Sequence, residues 1–118
     1  MAASKRSIPH FTYVEEVDAT RLVQLRSALK DAAAERGVRL SYLPFIMKAL
    51  VRVFSEFPTA NANMDEETFT LNVRGEVNIG IATDTPAGLY VPVIKNVEQK
   101  SLLQLAHVLQ QRAHVADR

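Results

Sequence analysis

Apolar and polar positions recur with two different periods along this chain, and the switches between them mark its elements. From Leu22 the period is helical: Leu22, Leu25, Leu29 and Ala33 share a face, while Arg21, Gln24, Arg26, Lys30 and Asp31 lie largely off it. Asp18 can cap this segment and Gly37 supplies a stop, which predicts a helix over 19–36. A broader stripe follows in Leu43, Ile46, Met47, Leu50, Val53, Phe54 and Phe57, with Lys48, Arg52 and Glu56 off it. Ser41 is its expected cap, Pro44 falls in the first turn, where a missing N–H costs little, and Pro58 ends it. A third helix is predicted from Ser101, with Gln104 three residues on completing a capping box. Its stripe is Leu102, Leu105, Ala106, Leu109 and Ala113, and it still runs near Asp117.

Elsewhere the period is two. Residues 1–9 read as a loose arm, and Phe11, Tyr13 and Val17 with Thr12 and Val14 as a strand. Phe69, Leu71 and Val73 alternate with Thr70 and Asn72 after a Met-Asp-Glu-Glu turn, and Arg74-Gly75-Glu76 makes the next turn. Then Val77, Ile79 and Ile81 alternate on one arm and Leu89, Val91 and Val93 on another, with Asp84 to Gly88 between them. This predicts an antiparallel hairpin with arms at about 76–83 and 88–95. Pro92 sits awkwardly in its second arm, because proline cannot donate to a ladder; it marks either an unpaired edge or a strand placed beside something else. The order β-α-α-β-β-β-β-α predicts an α+β two-layer sandwich, helices covering one face of a mixed or antiparallel sheet. The expected core includes Leu25, Leu29, Ile46, Leu50, Val53, Ile79, Ile81 and Val91.

Composition narrows the classes. The chain has 118 residues, the size of one compact domain, with 47% hydrophobic and 23% charged residues, as in a soluble globular protein. A net charge of +1 with both signs interspersed argues against nucleic acid or an anionic membrane as the main partner. There is no cysteine, so disulfides, thiolate nucleophiles and thiolate zinc sites are excluded. No apolar run reaches membrane-spanning length, and Met1 to Arg6 is too short and polar for a signal peptide.

Candidate chemistry is sparse. His10, before the first expected strand, is either a base at an entrance or a solvated loop residue. His107 lies off the third helix's stripe. His114 and Asp117, three apart, could face each other on a helix, but no nucleophile or turn glycine stands near them. Gly75, Gly80 and Gly88 lack the spacing of a phosphate loop, and no serine sits in a nucleophile elbow. Asp65-Glu66-Glu67 lacks the ordered oxygens of a calcium loop and reads as a solvated turn. Asn61 and Asn63 alternate with Ala60, Ala62 and Met64, which is either an irregular edge or a polar lining on a cleft.

Three stretches together resemble one family. They are IPHFTYVEEVDATRLVQLRSAL, LSYLPFIMKALVRVFSEFPTANANMD and VNIGIATDTPAGLYVPVIKNVEQKSLLQLA. The last is the most specific, with Asn-Ile-Gly-Ile-Ala, Asp-Thr, Gly-Leu, Val-Pro-Val and Ser-Leu in order. Over residues 8–113 the chain is similar to the catalytic domain of the acyltransferase (E2) component of 2-oxo acid dehydrogenase complexes, leaning to the branched-chain type.

The resemblance implies a chloramphenicol acetyltransferase-like fold, present in part. It implies trimers that build hollow cores, with active-site channels between subunits. Dihydrolipoamide would enter such a channel from one end and coenzyme A, a substrate, from the other. The lipoyl group is expected on a separate domain, and the E1 and E3 components as partners through domains outside residues 10–118; no metal is expected. The compartment implied is the bacterial cytoplasm or the mitochondrial matrix. The family's Asp-His-Arg-x-x-Asp-Gly motif is absent from the 118 residues, as is its Ser-rich segment. His114 and Asp117 do not replace the motif, because their spacing and flanking residues differ. Residues 10–118 therefore read as the N-terminal half of such a domain, with no catalytic residue assigned. Channel-wall candidates are Phe11, Asn61, Asp84, Leu89, Val91 and Pro92, for each of which packing or turn formation is the competing role. The rival function is a non-catalytic structural or interaction module retaining half of the fold.

Overall fold

Three helices of the kind the pattern predicts organise the chain, preceded by a short one. The computed structural model describes the backbone of residues 2–116 and the side chains of residues 4–113. Helix α1 (Ala2–Ser7) lies within the segment expected as a loose arm. Helix α2 (Thr20–Glu35) matches its predicted span closely and ends where Gly37 adopts φ +73°. Asp18 marks its start, accepting the Thr20 N–H at 2.9 Å, although the cap position itself is Ala19. Helix α3 (Leu43–Glu56) is capped by Tyr42 rather than Ser41, with Pro44 in its first turn. A 3₁₀ turn over Pro58–Asn61 stops it. Helix α4 (Leu102–Ala116) starts on the capping box read in the sequence. Ser101 N–H donates to Gln104 Oε1 at 2.8 Å, and Gln104 N–H donates back to Ser101 Oγ at 3.2 Å.

The strands form three antiparallel ladders of two strands each, so no parallel pairing occurs among the described residues. Strands β1 (Ala62–Asp65) and β2 (Thr70–Val73) make the first hairpin. At its tip the N–H groups of Glu67 and Thr68 donate to Asp65 Oδ1, and Phe69 adopts a left-handed φ of 51°. Strands β3 (Ile79–Gly80), β4 (Thr83–Thr85), β5 (Gly88–Tyr90) and β6 (Val93–Ile94) make the second. Its register is continuous: Ile79 faces Ile94, Gly80 faces Val93 and Thr83 faces Tyr90. The predicted pairing is therefore present, but the turn is tighter than expected. Asp84 pairs with Leu89, and Thr85-Pro86-Ala87-Gly88 alone reverse the chain, with Gly88 at φ +118°.

The core lies between α3, α4 and the inner face of the second hairpin. Met47, Val77, Ile94, Val97 and Leu105 form one buried cluster. Ala33, Val38, Leu40 and Ala106 form a second, which fixes the end of α2 to α4. Polar ties hold the layers in place. Lys48 Nζ donates to the Lys100 carbonyl at 2.9 Å, and Arg26 Nε donates to the Leu40 carbonyl at 2.9 Å while stacking over the Tyr42 ring. Beyond β6, Asn96 adopts φ 53° and its N–H donates to Asn78 Oδ1. Glu98 Oε2 accepts the Val77 N–H at 2.9 Å there.

Two expectations fail, for related reasons. The strand expected over 11–17 has no ladder: the segment is exposed throughout, with Phe11 90% accessible. Its residues favour strand, but a strand needs a partner, and no described residue supplies one. The segment stands away from the body, and the radius of gyration is 16.9 Å. A compact chain of this length would give ~13.5 Å. The expected core is also only partly buried. Leu25, Leu29, Ile46, Val53 and Val91 are exposed, and Leu50, Ile79 and Ile81 are half-buried. Helix α3 is apolar around more than half of its circumference. Pro44, Met47, Val51 and Phe54 face the core, while Ile46, Val53 and Phe57 form a second apolar face in solvent.

Candidate functional site

A cleft of about 650 Å³ opens where the second hairpin meets α4 and the chain leading into α3. Its floor is apolar, from Ile81, Pro92, Ile94 and Leu109. Its rim is polar, from Arg39, Ser41, Thr83, Gln110 and Arg112. The hairpin's alternation creates the floor. Ile79, Ile81, Thr83, Pro92 and Ile94 turn inward, whereas Leu89, Val91 and Val93 turn outward with Asp84. Pro92 is buried in this floor. Its carbonyl accepts the Ile81 N–H at 3.0 Å, and Thr83 Oγ1 donates to the Ile81 carbonyl at 3.3 Å. Proline is thus accommodated inside the hairpin because a hydroxyl from the opposite arm supplies the donor it lacks. The rim is set by a tertiary bond: Gln110 Oε1, on α4, accepts the Arg39 N–H at 2.9 Å.

The residues singled out in the sequence do not converge on this cleft, apart from Pro92. Asp84, Leu89 and Val91 share the opposite, outer face of the same hairpin, where Leu89 is 72% accessible. Gly80 lies on that outer face too, and a Cβ there would stand 3.1 Å from Val91 Cγ1. Asn61 is half-buried and used structurally: its Nδ2 donates to the carbonyls of Arg74 and Glu76, pinning the turn between the hairpins. Asn63 faces Asn72 on the first hairpin, so the two asparagines line no common wall. Phe11 is on the exposed segment before α2. The rim residues Arg39, Gln110 and Arg112 were not singled out; each alone looks like a solvated polar residue, and only the packing of α4 brings them together.

The histidines offer no assembled machinery among the described residues. His10 is exposed. His107 is exposed on α4, where the Gln111 amide donates to its Nε2 at 3.0 Å. The pairing considered for His114 and Asp117 lies outside the described side chains. Among the described residues, no group of three or more histidine, aspartate or glutamate side chains could hold a metal ion.

The comparisons with known proteins bear on the whole chain. A family model described as 2-oxoacid dehydrogenases acyltransferase (catalytic domain) matches residues 1–118. The chain belongs to this family. It is 42% identical over 106 residues to the dihydrolipoyllysine-residue acetyltransferase component of the pyruvate dehydrogenase complex of Bacillus subtilis, covering 90% of this chain and 24% of that protein. It is 46% identical over 99 residues to the mitochondrial lipoamide acyltransferase component of the branched-chain alpha-keto acid dehydrogenase complex of Mus musculus, covering 84% of this chain and 20% of that one. Among solved structures, the dihydrolipoamide acetyltransferase of Azotobacter vinelandii matches with a TM-score of 0.90 at 42% identity, over 98% of this chain and 47% of that chain. A catalytic core from Thermoplasma acidophilum matches with a TM-score of 0.82 at 33% identity, over 98% and 52% respectively.

This acyltransferase-family chain therefore has the α+β, chloramphenicol acetyltransferase-like fold of those catalytic cores, and it spans about half of the solved relatives. Its relatives include bacterial and mitochondrial proteins. Among the described residues, no helix is long and apolar enough to cross a membrane. Both the acetyl-transferring and the branched-chain relatives match at similar identity, so the branched-chain leaning of the sequence does not separate the two types.

Proposed function

We propose that residues 10–118 form the N-terminal half of a catalytic domain that moves an acyl group from dihydrolipoamide to coenzyme A within a 2-oxo acid dehydrogenase complex, with residues 1–9 an arm. The observation that carries this reading is the match to the Azotobacter vinelandii acetyltransferase, at 42% identity and a TM-score of 0.90 over nearly the whole chain. Identity at that level with so close a backbone supports shared chemistry as well as shared fold, because the channel-forming hairpin is the part that both keep.

In this reading the half supplies walls and assembly surface rather than the reacting groups. Pro92 belongs to a channel wall, and Asp84, Leu89 and Val91 to the outer hairpin face, which meets a neighbouring subunit. Asn61 holds the turn that sets the two hairpins beside one another, and Phe11 packs on a neighbour or on coenzyme A. The exposed faces of α2, α3 and both hairpins are those that the remainder of the domain and the other copies of a trimer would cover. The lipoyl group would arrive on its own domain, and the E1 and E3 components would be partners in the same complex. The compartment is the bacterial cytoplasm or the mitochondrial matrix.

The test is a chimera in which residues 1–118 are joined to the remaining half of the Azotobacter vinelandii catalytic domain. Acyl transfer from acetyl-dihydrolipoamide to coenzyme A is then measured beside the intact relative. Turnover by the chimera is expected. A folded chimera without turnover, beside an active relative, would sink the proposal.

A further inference from the structure

The cleft carries an electrostatic feature that the acyl-transfer reading does not use. Its rim holds Arg39, from the loop after α2, and Arg112, from α4, and no aspartate or glutamate lines it. The Gln110 bond to the Arg39 N–H fixes that loop against α4, and Gln110 itself lines the cleft. Neither guanidinium has an ion-pair partner among the described residues, where the ion pair present is Arg52 with Glu56 on the surface of α3. Two cations sharing one cleft repel each other, and an anion between them offsets that repulsion. A guanidinium presents a fork of N–H donors that matches the oxygens of a phosphate or a carboxylate.

The floor sets the rest of the ligand. Ile81, Pro92, Ile94 and Leu109 offer an apolar surface that no charged side chain interrupts. Ser41 and Thr83 add hydroxyls at its margin. A volume of about 650 Å³ is within the range of small-molecule sites. We infer that this cleft binds a small amphipathic anion, its phosphate or carboxylate head held by Arg39 and Arg112 and its apolar chain laid on Ile81, Pro92 and Leu109. This goes beyond acyl transfer and does not depend on it.

The probes are hexyl phosphate, hexanoate and 1-hexanol, titrated onto the isotope-labelled 118-residue chain and followed by methyl and amide NMR. Hexyl phosphate or hexanoate is expected to saturate, moving the resonances of Ile81, Ile94 and Leu109, with hexanol weaker by about tenfold or more. The tighter of the two anions identifies the head group. Arg39→Gln with Arg112→Gln should weaken the anion by about tenfold and leave hexanol unchanged, and added salt should act in the same direction. Both side chains are exposed, so the fold should survive, and Arg39→Lys with Arg112→Lys should retain most of the binding. Equal binding of hexanol and the anions, an unaffected glutamine double variant, or shifts confined to Leu89, Val91 and Val93 would overturn the inference.

Discussion

The Ile81 N–H donates to the Pro92 carbonyl at 3.0 Å, and Pro92 has no N–H with which to return the bond. An antiparallel partner in this register would ordinarily donate back to Ile81. Thr83 Oγ1 does so instead, at 3.3 Å. Thr83→Val should therefore cost about 1 kcal/mol, the usual net worth of one such bond with its acceptor left unmet. In a Pro92→Val background, which restores the backbone donor, the same change should cost less. A double-mutant cycle in urea reads the difference. Coupling within about 0.3 kcal/mol of zero would mean that the hydroxyl is not standing in for proline's missing donor.

Helix α3 gives a second contrast, between neighbours in sequence. Met47 is fully buried against Val77, Ile94, Val97 and Leu105, whereas Ile46 is exposed on the opposite apolar face. Met47→Ala should cost about 2–5 kcal/mol, the range for emptying an enclosed core site. Ile46→Ala should cost less than about 1 kcal/mol in the monomer. Equal losses in chemical melts would place Ile46 in a core that the fold does not give it.

That contrast also marks what could be read from the sequence. The capping box at Ser101 and Gln104, the span of α2 and the register of the second hairpin depend on residues close together in the chain, and all three were legible. The inward face of α3 was not. Its apolar positions cover more than one face, and periodicity identifies an apolar surface without saying what lies against it. Phe11 to Val17 failed similarly, since strand-forming residues become a strand only beside a partner. At the candidate site, Pro92 announced itself by breaking a strand pattern. Arg39 and Arg112 gave no signal, being far apart in sequence and brought to one cleft only by α4.

The tip of the first hairpin should respond to acid. Hydrogen bonds from Thr68, first its side chain and then its N–H, and from the Glu67 N–H favour the charged form of Asp65 and hold its carboxyl below the ordinary value of 3.8. A depressed folded value means that the contribution is fully present above the unfolded value and is lost as pH falls through the folded one. The Glu67 and Thr68 amide resonances should thus keep their folded positions down to pH 3.8 and move below it. Asp65→Asn keeps an acceptor oxygen and should remove the transition. Persistence of the same transition in that variant would assign it to another group.

Self-association should follow from the apolar faces left in solvent. Leu89, Val91 and Val93 make a continuous stripe on the outer hairpin face, and Ile46, Val53 and Phe57 make another on α3. Sedimentation should show species larger than the monomer at high-micromolar concentration. Val91→Lys with Val93→Lys should move the distribution towards the monomer. A wild-type chain that sediments only as monomer under these conditions would show that the stripes are too dispersed to drive assembly.

The purified 118-residue chain should not transfer acyl groups from dihydrolipoamide to coenzyme A above background. A coenzyme A thiol is mostly protonated near neutral pH, and attack on a thioester needs a placed base to take its proton. It also needs donors aimed at the oxygen where negative charge develops. The described histidines do not meet the first need. His10 is on an exposed segment, and His107 is exposed on α4 beside Gln111. Neither lines the cleft at Pro92, and the nearest hydroxyl there, Thr83, is already committed to the Ile81 carbonyl. Without a base, the thiolate must come from solution, and bringing the reactants together would add little. The measurement is thioester exchange on the chain alone, with His10→Ala and His107→Ala as controls. Background turnover, unchanged in both variants, is expected. Substantial turnover lost on replacing either histidine would show that a base is assembled in this half after all, and would move the chemistry of the domain into residues 1–118.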